Sequence, residues 1–373
     1  MIYRMLATVF FLLSFLVQVH SQNSWRAGTW VEADVFYGQL VRHSPKMEFD
    51  IPYSARGVGL SIMKQSRGQD YWSAAHGAPR FGVQVFWRNF GNDELLGRTI
   101  GFYPQGDFFL HRSKRWEMYC RAGFGLTFNN RPYNRLENPE NNAIGSMANN
   151  ATAVGLGVGI RLTPQWLLRL EGNATHVSNG RFSLPNLGLN TFSLKMGISY
   201  QLAPLEEITP IPQEKLKRDK KWHVNLRFGL GAKENKEPDG PRYPVFLASA
   251  FMTRMISYTN RLQLGVEVFH DQSVRAFTRN QQINSDEPQF TDTRFAVIAG
   301  QEFVFGHAAF MTQLFFYADK PFEGSDFFGT RIGPTFYLYG PADEQRFCPF
   351  IGIYMKAHKA VADYIEVTAG IRW

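Results

Sequence analysis

The sequence predicts an all-β protein: an antiparallel outer-membrane β-barrel of about 16 strands in two halves of about eight, closed as two tandem small barrels or as one fused barrel. Three observations lead there. Aromatic residues make up 15% of the chain and Gly occurs 33 times, while helical periodicity is scarce. That composition suits short strands and tight turns better than a helical bundle. Second, apolar residues alternate with polar ones. Along 166–176 the even positions are mostly apolar or small, and the odd positions include Arg169, Glu171, Asn173 and Thr175. Residues two apart on a strand share a face, so one face is apolar and the other polar. Third, long polar connections alternate with short ones, as outer loops alternate with periplasmic turns.

In chain order, the first segment reads as a secretion signal over 1–21. Arg4 is its basic start, Leu6 to Val17 its apolar run, and Val19-His20-Ser21 its cleavage site before Gln22. No Cys follows the run, so no lipid anchor is expected. The run is too short to span a bilayer as a helix, and no other segment approaches that length. Strand-like runs follow at 81–87, 116–128, 154–162, 166–176 and 192–200. These place one eight-stranded unit at 22–202. A polar, Pro-containing linker is expected at 203–221, on the periplasmic side. A second strand unit of unassigned role follows at 222–373, with runs at 222–230, 262–268, 295–305, 309–317, 330–338 and 364–373.

Connection lengths orient the strands. Segments 129–151 and 272–291 are long, while 163–164 and 306–307 are short. Both termini of the mature chain and the linker then lie on the periplasmic side. Segment 66–79 is long for a turn that this scheme places there. The last strand, 364–373, alternates cleanly and ends on Trp373. That is the form of a barrel's C-terminal insertion signal, and 192–200 has a similar form.

The formal charge of +8 comes from scattered residues, with one dense run, Lys215 to Lys221, in the linker. A secreted barrel with basic residues spread this way is not expected to bind nucleic acid. Cys120 and Cys348 make neither a disulfide framework nor a metal cluster. No metal and no cofactor is expected.

The chemistry concentrates in Thr175-His176-Val177-Ser178-Asn179-Gly180, followed by Pro185-Asn186-Leu187-Gly188-Leu189-Asn190. His176 and Ser178 share the apolar face with Trp166, Leu168 and Leu170. Asn190 shares a face with Phe192, Leu194 and Met196 on the next strand, while Arg169, Glu171 and Lys195 take the other face. In a membrane barrel the apolar face meets lipid, and the strand direction brings His176 and Ser178 to the outer rim. A base and a hydroxyl on one lipid-facing surface suit ester hydrolysis of a lipid. Arg121, Arg169, Glu171 and Lys195 read as a salt-bridge network in the lumen.

The motif, H-x-S-N-G then P-N-x-G-x-N, resembles the signature of the PagL-type lipid A deacylases (acyloxyacyl hydrolases), which are outer-membrane barrels. The resemblance is strongest over 170–202 and extends over 25–202. It implies a bacterial outer-membrane location, lipid A or lipopolysaccharide as substrate among outer-membrane lipids, Ser178 as nucleophile and His176 as general base. Asn179 and Gly180 are the corresponding oxyanion candidates. The family's acidic third member aligns with Asn190, an amide that can orient an imidazole but carries no charge. Two readings therefore stay open: a lipid A deacylase-like serine esterase, or a catalytically lapsed or non-enzymatic outer-membrane barrel with a structural or channel role. Acyl specificity and oligomeric state are not legible.

Overall fold

The computed structural model describes residues 25–51, 54–205, 208, 210–234, 238–280, 292–318, 326–339, 347–359 and 361–373. The expected signal segment, 1–21, lies outside them. The first eight strands are β1 (Thr29–Val41), β2 (Ala55–Gln65), β3 (Arg80–Asn89), β4 (Arg98–Arg112), β5 (Trp116–Asn129), β6 (Ala148–Arg161), β7 (Trp166–Ser178) and β8 (Leu189–Gln201). Each pairs antiparallel with the next, and β8 returns to β1 with Asp34 opposite Gly197. The remaining strands are β9 (His223–Glu234), β10 (Arg242–Met255), β11 (Asn260–Asp271), β12 (Thr293–Phe305), β13 (Ala308–Tyr317), β14 (Phe328–Tyr337), β15 (Cys348–His358) and β16 (Val361–Arg372). They close through β16 and β9, with Glu366 opposite Gly231. Among the described residues, two short α-helices, α1 (Tyr71–Ala75) and α2 (Gln272–Asn280), and one 3-10 turn, Gln213–Lys215, lie outside the sheets.

The architecture is therefore two barrels rather than one fused barrel. Strand β8 spends its free edge on β1, so no edge remains for β9. The intervening chain carries Pro204, Pro210 and Pro212. Proline has no N–H to donate to a sheet ladder, which suits this segment to a connection.

Alternation along the strands sets the two faces. Trp166, Leu168, Leu170, Phe192, Leu194 and Met196 are 37–61% exposed, whereas Arg169, Glu171 and Lys195 are 2–6% exposed. Apolar outside and charged inside is the inverse of a soluble barrel, and it fits a bilayer. The charged interior is neutralised within itself. Arg121 pairs with Glu32 at 2.7 Å and with Asp107 at 2.6 Å. Arg169 bridges the same two carboxylates, each at 2.8 Å. Lys195 lies 3.3 Å from Asp34, and Arg80 pairs with Glu117 at 3.1 Å. The second barrel repeats the device with Arg227 and Glu267 at 2.7 Å, Arg331 and Glu366 at 2.7 Å, and Arg261 and Glu302 at 2.9 Å. An eight-stranded barrel is just wide enough for its side chains to fill it. These buried ion pairs plug both lumens, which argues against a channel.

Two features depart from the simple loop rule. Segment 66–79 is long because it holds α1, which docks on the second barrel. His76 Nε2 donates to Val304 O at 2.8 Å, and the His76 ring stacks on Phe305 with centroids 4.8 Å apart. Phe81 and Phe108 complete this ring cluster around Phe305. In the last hairpins the length order reverses: β14 and β15 are further apart in sequence at their periplasmic ends, Tyr337 and Cys348, than β15 and β16 are at their outer ends, His358 and Val361. The two cysteines are free and sit in different barrels.

Candidate active site

The site forms where β7 and β8 reach the outer end of the first barrel. His176 and Asn190 are opposite one another in the β7–β8 register. His176 Nδ1 lies 2.6 Å from Asn190 Oδ1. An amide oxygen only accepts, so Nδ1 carries the hydrogen and donates it. The lone pair is then on Nε2, which lies 3.0 Å from Ser178 Oγ. The serine hydroxyl donates to Nε2, and the imidazole donates to Asn190. Strand periodicity supplies the first contact, because residues 176 and 178 share a face. Cross-strand pairing supplies the second, and no local pattern in β7 could have provided it.

The segment 179–188 then connects β7 to β8 beside the pair. Asn179 N–H donates to Asn186 Oδ1 at 2.9 Å. Asn179 Nδ2 donates to Ser146 Oγ and to Ser183 O, both at 2.9 Å. Gly188 N–H donates to Ala143 O at 2.9 Å. Gly188 has φ +81°, and a Cβ placed there would lie 2.7 Å from His176 Cε1. Glycine is required at this position twice over, for the left-handed backbone and for the close approach to the imidazole. His43, on the β1–β2 connection, donates from Nε2 to Leu187 O at 2.9 Å.

Ser178 is 2% exposed, while His176 and Asn190 are half-buried. The strand parity does place all three on the outward side. The open lipid-facing surface, however, ends before Ser178, which is buried. Asn179 differs from expectation in a second way. Its amide nitrogen is engaged twice, with Ser183 in its own loop and with Ser146 in the β5–β6 connection, so it reaches a substrate oxygen only by exchanging one of those bonds. Ser146 and Ser183, which hold it, were not legible as site residues. They lie in irregular segments, and nothing in their sequence context marks them.

Directly below the pair, toward the bilayer, the outward face is concave. A groove of about 600 Å³ is lined by Val154, Leu156, Gly172, Ala174, Phe192 and Leu194, among others. Ala174 precedes His176 by two residues, and Phe192 follows Asn190 by two, so the groove lies next to the pair on the same face of the strands. A Cβ on Gly172 would meet nothing within 4 Å, and the missing side chain is what opens the groove there.

The second barrel holds no matching pair among its described residues. His270 Nδ1 is 3.2 Å from Thr293 Oγ1, and His358 Nε2 is 3.1 Å from Tyr317 OH. Ser273 Oγ donates to Asp271 Oδ1 at 2.6 Å.

Comparison with known families agrees with the motif. The profile described as "Lipid A 3-O-deacylase (PagL)" matches residues 56–199. The profile described as "Acyloxyacyl hydrolase, C-terminal domain" matches residues 221–373. The chain belongs to the PagL family. The two matches fall one on each barrel, so this PagL-family protein carries a second barrel with a profile of its own. A comparison with curated proteins gave no match. Among solved structures, the outer membrane enzyme PagL aligns with 14% identity and a TM-score of 0.33, over 44% of this chain and 97% of its own. Neisserial surface protein A aligns with 12% identity and a TM-score of 0.32, over 47% and 97%. The attachment invasion locus protein Ail of Yersinia pestis aligns with 11% identity and a TM-score of 0.25, over 47% and 99%. With its closed barrels, apolar outer faces and family, the protein is a bacterial outer-membrane barrel protein.

Proposed function

We propose that this protein is a serine esterase of the outer membrane that hydrolyses an acyl ester of lipid A or a closely related acylated lipid. The observation that carries this reading is the relay from Ser178 through His176 to Asn190 on the outward side of the barrel. The apolar groove next to it supports a lipid substrate, since an acyl chain lying there would bring its ester to the rim. The family profile, named for lipid A 3-O-deacylation, supports lipid A among such lipids.

Each step follows from an atom already placed. Ser178 Oγ attacks the ester carbonyl carbon while its proton passes to His176 Nε2. The tetrahedral intermediate collapses, the C–O bond to the sugar breaks, and the sugar oxygen takes the proton from Nε2. The acyl group is then on Ser178. Water attacks that ester, gives a proton to Nε2, and the fatty acid leaves as Ser178 recovers its hydrogen. Asn190 holds the imidazole in the tautomer this sequence needs and accepts from Nδ1–H throughout. Gly180 and Asn179 are the groups nearest in sequence to the developing oxyanion, and Asn179 serves by releasing Ser146 or Ser183. One oxyanion donor contributes about 3–4 kcal/mol in enzymes of this kind.

The test is fatty-acid release from lipid A in membranes holding matched amounts of wild type and Ser178→Ala. Release by wild type and none by the variant is the expected result. Equal release rejects the nucleophile assignment. No release by wild type across several acylated lipid A substrates favours the lapsed-enzyme reading, with Asn190 in place of a carboxylate as its observation.

A further inference from the structure

The loop that follows Ser178 is held from outside its own barrel. Leu184 N–H donates to Oε2 of Glu234, the last residue of β9. Arg242, the first residue of β10, donates from Nε to Phe182 O at 3.1 Å and from Nη2 to Ser183 Oγ at 2.8 Å. Its guanidinium also lies over the Phe182 ring, 4.5 Å from the centroid. On neighbouring β16, Ile365 stands so close to Gly180 that a Cβ on the glycine would lie 2.3 Å from Ile365 Cγ1.

Glu234 and Arg242 are opposite one another in the β9–β10 register. The second barrel thus presents one acceptor and one multi-donor group side by side to three consecutive residues of the first barrel. Docking by itself does not call for this arrangement. The periplasmic ends of the two barrels dock through the ring cluster around Phe305. A buried carboxylate is costly unless well satisfied, and Glu234 is 2% exposed. Two of these bonds end on backbone atoms, so what they fix is the path of the loop. The grip also passes on to the reacting residue. Ser183, held through its hydroxyl by Arg242, accepts through its carbonyl from Asn179 Nδ2, and Asn179 directly follows Ser178.

We propose that the second barrel is a clamp for the active-site loop, with Arg242 and Glu234 as positioning residues that hold Asn179 and Gly180 beside Ser178. The proposal rests on the esterase reading for its catalytic consequence, and on the contacts alone for its structural one. Neither residue touches substrate. Both act through loop geometry, where a misplacement of about 1 Å can cost on the order of 100-fold in rate.

The experiment uses the full chain in proteoliposomes with lipid A, comparing wild type with Arg242→Ala, Glu234→Ala and Glu234→Gln. Acyl release gives kcat and KM, and amide hydrogen exchange reads protection of residues 179–188. The two alanine variants should lower kcat about tenfold or more, with KM within about twofold. Glu234→Gln keeps an acceptor oxygen and should retain most of the activity. Exchange should rise at 179–188 in the alanine variants, while β1–β6 stay protected. Wild-type kcat in both alanine variants, a rise in kcat, or a Glu234→Gln as impaired as Glu234→Ala overturns the clamp. If wild type itself releases no fatty acid, the esterase reading fails and exchange alone decides. Unchanged protection at 179–188 then overturns the clamp, and increased protection loss in the alanine variants sustains it.

Discussion

Asn190 stands where a carboxylate would be expected, and replacing it tests the relay directly. Asn190→Ala removes the acceptor 2.6 Å from His176 Nδ1. In the transition state the imidazole is charged, and a hydrogen bond to a charged group is worth about 1.5–3 kcal/mol. At about 1.4 kcal/mol per tenfold in rate, kcat should fall by roughly 10- to 150-fold. Asn190→Asp has the same reach and adds a full charge. At about 4 Å and an effective dielectric near 20, a carboxylate attracts the imidazolium by about 4 kcal/mol. Partial burial of the new charge offsets much of that. A net gain near 1.4 kcal/mol, about tenfold in kcat over wild type, is expected. The assay is initial-rate release of fatty acid from lipid A in mixed micelles, with the folded fraction matched by heat-modifiable mobility on gels. An Asn190→Ala variant within twofold of wild type, or an Asn190→Asp variant no faster than Asn190→Ala, would refute the role given to this residue.

Three other outcomes follow from the same structure. Gly188→Ala puts a methyl 2.7 Å from His176 Cε1 on a left-handed backbone; acyl release should drop strongly while the barrel keeps its mobility shift, and normal activity would show that the loop yields freely. Gly172→Leu fills the groove from a position where a side chain meets nothing. It should slow release of long acyl chains more than short ones, which paired substrates of different chain length would show. Glu32→Ala strips one of the two carboxylates shared by Arg121 and Arg169 and leaves only Asp107 between them; loss of a buried partner should cost about 3–5 kcal/mol, seen as a lower unfolding temperature with the site geometry intact.

The faces of β7 and β8 were legible from residues 166–176 and 192–200, because a strand has a period of two and the bilayer demands one apolar side. The charged lumen followed from the same parity. Arg169 and Lys195 announce it, but their partners Glu32, Asp34 and Asp107 lie on strands far away in sequence. Nothing local marks which carboxylate meets which cation. The same division holds at the site. Positions 176 and 178 sit on one face by periodicity alone, and the motif around them pointed to the family. The contact with Asn190 depended on the β7–β8 register, which the loop between them sets.

Other features were decided only by the tertiary structure. Whether sixteen strands make one barrel or two depends on which edges meet, and an exposed edge carries no sequence label. Pairing of β8 with β1 closed the question. The length of segment 66–79 made sense only once α1 was seen against Phe305. The engagement of Asn179 arises from residues 146 and 183, reached through loop paths that have no periodicity to read. Arg242 and Glu234 lie in the other barrel, where a sequence shows two ordinary charged residues near a turn. Strand repeats and the lipid solvent act on every residue in turn, so they leave a record along the chain. Contacts between loops and between barrels act on single atoms brought together by closure, and they leave none.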